Sequence, residues 1–224
     1  PTYFEKKFSE EDKLSSTRIC LEDNCFMQFN GVIDRIDVFE DEENVYVKII
    51  DYKSGDKDFD VNKFYNGLQL QLVTYMEVVL ELIAKEHPNK KIIPAGMFYY
   101  HMYNPIVEAQ DELEANTKIN KELKLKGLVN IDDNCIDIID KDKKNVLPIS
   151  VDKDNQIKST SSTIGEDQIY YLNKFANSKL KEMGNNIIKG KIPIEPVKNE
   201  GAVPCTYCEY SSICQFDEKT PEGY

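Results

Sequence analysis

Three short stretches of the sequence hold side chains that could do chemistry together. Gly31-Val32-Ile33-Asp34-Arg35-Ile36-Asp37 sets an acid among apolar residues. Ile49-Ile50-Asp51-Tyr52-Lys53 ends an apolar run in an acid and a lysine, and Gly67-Leu68-Gln69-Leu70-Gln71-Leu72-Val73-Thr74-Tyr75 places Gln71 and Tyr75 four residues apart. Two carboxylates brought together on neighbouring strands cannot both stay ionised cheaply unless a cation sits between them, and hard oxygen ligands favour Mg²⁺ or Mn²⁺. Lys53, two residues after Asp51, would stand where it can orient or deprotonate a metal-bound water, or neutralise charge on a phosphorane-like transition state. These are the parts for phosphodiester hydrolysis. A lone Asp-x-Lys is also what a solvated strand end with an ion pair looks like. The joint order of Asp34, Asp51-x-Lys53 and Gln71-x-x-x-Tyr75 on strand, strand and helix is much more specific.

The elements that must position these residues follow from periodicity. Gly31 to Phe39 is β-branched and apolar, Asp41-Glu42-Glu43-Asn44 supplies a turn, and Val45 to Lys53 alternates as the returning strand of a hairpin. Residues two apart share a face, so Val45, Val47, Ile49, Asp51 and Lys53 line one side of the second strand. The same alternation sets Val32, Asp34, Ile36 and Val38 on one face of the first strand, with Ile33, Arg35, Asp37 and Phe39 on the other, where Asp37 pairs with Arg35. From Asp60 to Glu86 the period becomes helical, with Phe64, Leu68, Leu72, Tyr75, Val79, Leu82 and Ile83 in one stripe that Gln71 interrupts. A buried amide needs a defined partner, and Lys53 or a nucleotide phosphate would serve. Pro94 to Met102 reads as a third strand. Glu166 to Ile188 reads as a second amphipathic helix, with Ile169, Leu172, Phe175, Leu180, Met183 and Ile187 on one side and Gly190 as its stop.

Strand, strand, long helix, strand is an α/β signature. The expected organisation is one domain over residues 1–224, with a core at about 1–104 and 165–192, an insertion with some β structure at about 105–164, and a cysteine-rich tail at 193–224. With 224 residues, 41% apolar and 10% aromatic, a real core is within reach. No run of about 18 apolar residues exists to span a membrane. The opening Pro1-Thr2-Tyr3 has neither an initiator Met nor a signal-peptide layout, so a segment of a longer chain is expected. The net charge of −12 repels a polyphosphate at long range and disfavours a freestanding duplex-binding module. It leaves DNA open as a substrate, because metal-holding carboxylates count as negative until the metal arrives.

Of six cysteines, Cys205, Cys208 and Cys214 crowd within ten residues. No regular disulfide framework covers the rest, which reads as a reducing, cytoplasmic protein with a metal or cluster site in its tail. Incidental thiols and a zinc-ribbon-like structural tail are the competing readings. Neither His87 nor His101 lies nearby in sequence to complete a zinc tetrad, and His101, closing an apolar strand, reads as structural. Cys20, Cys25 and Cys135 read as free thiols.

The three motifs resemble the RecB-type nuclease module of the PD-(D/E)XK superfamily, in the form carried at the C-terminus of AddB-type chains of ATP-dependent helicase/deoxyribonucleases. Further matches are Tyr3-Phe4-Glu5 with Phe8, Pro94 to Tyr100, Lys126-Gly127-Leu128-Val129, and Cys205-x-x-Cys208 with Cys214-Gln215-Phe216-Asp217. The resemblance covers nearly the whole chain. It implies a restriction-endonuclease-like fold, a central mixed sheet flanked by helices. It also implies metal ligation by Asp34, Asp51 and the Tyr52 carbonyl, Lys53 as catalytic lysine, and Gln71 and Tyr75 near the substrate. Glu5 falls where such modules often place an acid on an early helix. A 4Fe–4S cluster is implied on Cys205, Cys208 and Cys214, its fourth cysteine lying upstream of residue 1, so the cluster is expected to be incomplete or absent in this segment. The implied setting is a complex with an AddA-type partner, itself a helicase-nuclease, that unwinds and trims double-strand DNA ends for recombination. No Gly-x-x-x-x-Gly-Lys occurs here, so ATP dependence is not expected of these residues. The opposing class is a non-catalytic module of the same fold that guides DNA or docks the partner.

Overall fold

The computed structural model describes residues 1–141, 146–154, 156–198 and 203–216. In chain order the elements are β1 (Thr2–Phe8), β2 (Arg18–Cys20), β3 (Phe26–Gln28), β4 (Gly31–Glu40), β5 (Asn44–Lys53), α1 (Val61–Tyr65), α2 (Gln71–Glu86) and β6 (Lys91–His101). They continue as α3 (Glu112–Glu122), β7 (Lys126–Asn130), α4 (Asp133–Ile139), β8 (Thr163–Ile164), α5 (Glu166–Ile188) and α6 (Ser211–Cys214). Six strands form one mixed sheet in the order β1-β4-β5-β6-β7-β8, while β2 and β3 form a separate ribbon. The β4–β5 hairpin is antiparallel and β5–β6 is parallel. A parallel pair needs a long crossover, and α1 and α2 supply it.

The expected alternation of β5 decides how the sheet is covered. Val45, Val47 and Ile49 enter a core with Leu72, Val73, Met76, Val79 and Ile83 of α2, Met97 and Tyr99 of β6, and Ala176 of α5. On the opposite face Ile50 packs with Phe98, Val129, Ile136, Leu147 and Ile149, and Tyr46 packs with Ala95 and Cys135. Helices therefore lie on both faces of the sheet, as α/β chemistry requires.

Several expectations are corrected. The helix foreseen from Asp60 to Glu86 is two helices. Asp60 caps α1, its Oδ1 accepting from the Asn62 and Lys63 amides at 2.8 and 3.0 Å, and the chain then turns through Gly67 at φ +80° before α2 starts. That left-handed conformation suits only glycine well. Leu68, falling in the break, is exposed instead of joining the stripe. The buried amide of the break is Gln69, whose Oε1 accepts from the Asp60 amide at 2.9 Å and whose Nε2 donates to the Asp58 carbonyl at 3.1 Å. On β4 the strict alternation fails at one step. Ile33, not Val32, joins Ile36 and Val38 in the core, and the irregularity centres on Asp34, flanked on β1 by Glu5 at φ +48°. Glu5 itself is exposed on a strand, not on a helix. Two stretches of the region expected as an insertion, Lys126–Asn130 and Thr163–Ile164, are strands of the main sheet. The second helix, α5, has the expected bounds, but Ile187 in its last turn is exposed.

The N-terminal segment is tied to α2 by Glu81, which accepts from the Ser15 and Ser16 amides at 2.8 Å each and from Ser16 Oγ at 2.7 Å. Burial pushes this carboxyl up, but the amide and hydroxyl bonds outweigh it and bring it from 4.5 down to about 2. A depressed carboxyl stabilises the fold above its unfolded value and loses that contribution as pH falls toward its folded one. Glu81→Gln is expected to be less stable than the parent chain at pH 6, with the gap closing between pH 4.5 and 2. Urea unfolding at a series of pH values checks this.

Candidate active site

The site forms where the β4–β5 ladder ends. The last backbone pair is Arg35 with Ile50. Beyond it, Asp34 Oδ2 accepts the Tyr52 amide at 2.7 Å, a side-chain oxygen standing where a strand carbonyl otherwise would. This pins the Asp34 carboxylate beside β5. Asp51 lies at the end of the apolar file of β5 and is only 4% exposed. Its carboxyl is pushed above the ordinary carboxylate range, first by burial and further by the charge of Asp34, against the pull of Lys53 and Lys57. Lys53 forms an ion pair with Asp51. Its Nζ also donates to Gln71 Oε1 at 3.2 Å, the first of the two partners foreseen for that amide.

Gln71 is the first residue of α2, a position that exists because Gly67 breaks the helix. Its Nε2 donates to the Tyr75 hydroxyl at 3.2 Å, which fixes the amide so that its oxygen faces Lys53. Tyr75 is in turn held edge-on by Phe8, ring centroids 5.8 Å apart. Gly31 lets this stack close, because a Cβ there would lie 2.6 Å from Phe8 Cζ and 3.3 Å from the Tyr75 hydroxyl. Asp34, Asp51, Lys53, Gln71 and Tyr75 are thus drawn into one chain of contacts, with the Tyr52 backbone between the two acids. Asp37 stays apart, binding Arg35 at 2.9 Å and Lys48 at 2.8 Å.

Two residues at this site lie outside the three motifs. Tyr99 lies opposite Asp51 in the β5–β6 register and is 1% exposed, and its buried hydroxyl has no partner among the described residues. Burial and the neighbouring Asp51 charge hold it as a neutral phenol. Lys57, in the loop after β5, sits with Nζ 4.7 Å from the Tyr99 ring centroid. Its signal in the sequence is weak, one lysine in the polar stretch Ser54-Gly55-Asp56-Lys57-Asp58.

The cysteines do not form a comparable cluster. Cys205 lies within a single 3₁₀ turn (Pro204–Tyr207), Cys208 follows that turn, Cys214 ends α6, and all six cysteines are free. Among the described residues no set of three His, Cys, Asp or Glu side chains is placed to share an ion. The three thiols on their own therefore do not fit a complete iron–sulfur site, and Asp217 of the tail motif lies outside the described residues. The divalent-metal case is different. Two carboxylates, one of them buried and disfavoured in its ionised form by the charge of the other, are a donor set that a hard cation would relieve. His101 Nε2 lies 3.1 Å from the Ser54 carbonyl, within reach to donate to it, and the ring stacks on Tyr103. A cavity of about 590 Å³ bordered by Arg18, Glu77, Glu81 and Lys181 lies elsewhere, and none of the predicted site residues lines it. The predicted site residues lie instead where the β4–β5 ladder ends.

The sequence profile of the PD-(D/E)XK nuclease superfamily matches residues 1–215. The chain belongs to this superfamily. Similar proteins include the B subunit of the ATP-dependent helicase/deoxyribonuclease of Alkaliphilus oremlandii, 39% identical over 221 residues, covering 96% of this chain and 19% of that protein. The B subunits of the same name from Clostridioides difficile and Bacillus subtilis are 37% and 32% identical, over 97% and 100% of this chain and 20% of each relative. The chain thus spans about a fifth of the length of the curated relatives it matches. No helix among its described residues is long and apolar enough to cross a membrane.

A buried carboxylate whose pKa is raised destabilises the fold at neutral pH, since the unfolded chain ionises more readily. Asp51→Asn is therefore expected to raise Tm at pH 7 by roughly 2–4 °C, the response of a chain this size to about 1 kcal/mol. The gain should vanish below the unfolded aspartate range, near pH 3 to 4. Calorimetry in EDTA at pH 7 and pH 3.5 reads both.

Proposed function

We propose that this nuclease chain is a divalent-metal-dependent deoxyribonuclease domain that hydrolyses DNA phosphodiesters. It would serve a helicase–nuclease complex that processes double-strand DNA ends for recombinational repair in the cytoplasm, beside a partner of the AddA type. The observation that carries this reading is the buried Asp51 beside Asp34, with Lys53 bound to both Asp51 and Gln71. A scaffold has no use for a carboxylate held at such cost.

Asp34, Asp51 and the Tyr52 carbonyl would hold Mg²⁺ or Mn²⁺. Such an ion, when bound, supplies Lewis acidity toward a phosphoryl oxygen and makes water a better nucleophile at neutral pH. The remaining work falls to the chain's own groups. An ammonium has three donors. Lys53 spends one on Asp51 and one on Gln71, which leaves the third for the attacking water or for a phosphoryl oxygen as negative charge gathers on it. Gln71 aims the lysine, and Tyr75 aims Gln71. In the longer protein, Cys205, Cys208 and Cys214 would have to be drawn together to serve as three ligands of a 4Fe–4S cluster. The net charge of −12 assigns most DNA affinity to regions beyond these residues, so duplex binding by this chain alone should be weak.

The test is cleavage of labelled single-stranded and duplex DNA with Mg²⁺ or Mn²⁺ by this chain and by the full-length protein in its complex. Asp51→Ala and Lys53→Ala are each expected to lower kcat at least 100-fold with the fold retained, and EDTA should abolish cutting. Equal activity in EDTA refutes the metal. A folded, metal-loaded full-length protein whose activity is indifferent to Asp51→Ala would leave the DNA-guiding or docking role in place of catalysis.

A further inference from the structure

Lys57 has the surroundings of an anion-binding cation. Its Nζ stands over the Tyr99 ring at 4.7 Å, and Lys53 Nζ lies 5.9 Å from the same centroid, so one buried aromatic ring is shared by both ammonium groups. Lys57 is half-buried, and no carboxylate among the described residues lies within ion-pair distance of it. The neighbouring lysines are engaged: Lys53 with Asp51, Lys63 with Asp60 at 3.7 Å, and Lys126 with Asp56. Burial and the charge of Lys53 lower the Lys57 pKa, and Lys63 lowers it further, while Asp51 opposes. A partly desolvated lysine among like charges gains most when an outside anion arrives. In a chain of net charge −12, Lys57 forms no ion pair with a carboxylate among the described residues, although it feels the charge of Asp51.

Resting on the nuclease reading above, we propose that Lys57 is a DNA-binding residue of this site, its ammonium, seated on the Tyr99 ring, taking a backbone phosphate next to the scissile one. Lys53 then serves the reacting phosphoryl group, and Lys57 fixes the strand that carries it. A contact made equally in the ground and transition states appears in KM and not in kcat.

The experiment uses the full-length protein in complex with a nuclease-inactivated partner. Lys57→Gln is expected to raise KM for single-stranded DNA about tenfold with kcat within twofold, and Lys57→Arg to restore most of the loss. Amine labelling read by mass spectrometry gives a measure independent of turnover. With Ca²⁺ and single-stranded DNA, Lys57 should be protected several-fold, while Lys90, paired with Glu40 at the far end of the hairpin, keeps its rate. An unchanged KM in Lys57→Gln, or equal labelling of Lys57 with and without DNA, overturns the proposal. If that occurs while Asp51→Ala abolishes cutting, the nuclease reading stands and only Lys57 falls. If Asp51→Ala cuts like the parent, the nuclease reading falls with it.

Discussion

A carboxylate removed from water at the end of β5 is the constraint around which the rest of the site is arranged. Asp51 cannot be buried beside Asp34 without compensation, because desolvation and like charge both act against its ionised form. Lys53 offers part of that compensation from the same strand, two residues on and therefore on the same face. Lys53 in turn needs an acceptor that carries no full charge, and Gln71 gives it one. Each member settles a requirement created by the previous one, and the series ends at the Phe8–Tyr75 contact inside the core.

The scaffold serves this series through two departures from regularity. The break at Gly67 sets Gln71 at the very start of α2, so its side chain meets Lys53 before the helix descends across the sheet. An unbroken helix would have carried the same residue deeper into an apolar stripe. The irregular step of β4 at Asp34 lets a side chain take over a ladder hydrogen bond just where the backbone pairing stops. Local disagreement with the ideal pattern at a functional site is what a mostly consistent sequence allows.

Most of this is legible in the residues. The period-2 file from Val45 to Lys53 names the face of Asp51, and the helical spacing of Gln71 and Tyr75 puts them on one side, because both signals depend on local geometry alone. Family resemblance supplies the mixed sheet. The misses share a cause. Resemblance puts Glu5 on a helix and alternation puts Val32 in the core, although strand pairing with β4 decides both positions. Lys126–Asn130 reads as part of an insertion, because its pairing with β6 crosses a long sequence gap that periodicity cannot see. Tyr99 and Lys57 escape notice for the same reason, since their significance lies in neighbours brought by tertiary structure. The clustering of Cys205, Cys208 and Cys214 in sequence does not become clustering of side chains among the described residues.

The bond from the Tyr52 amide to Asp34 ties chemistry to strand alignment. Side chains in a strand change face with every residue, so a slip of one position between β4 and β5 would turn Asp51 away from α2 and carry Asp34 out of reach of that amide in one stroke. The two acids act as a register lock. A mispaired hairpin would lose the candidate site at the same step at which Val45, Val47 and Ile49 leave the core, so site and sheet share one register.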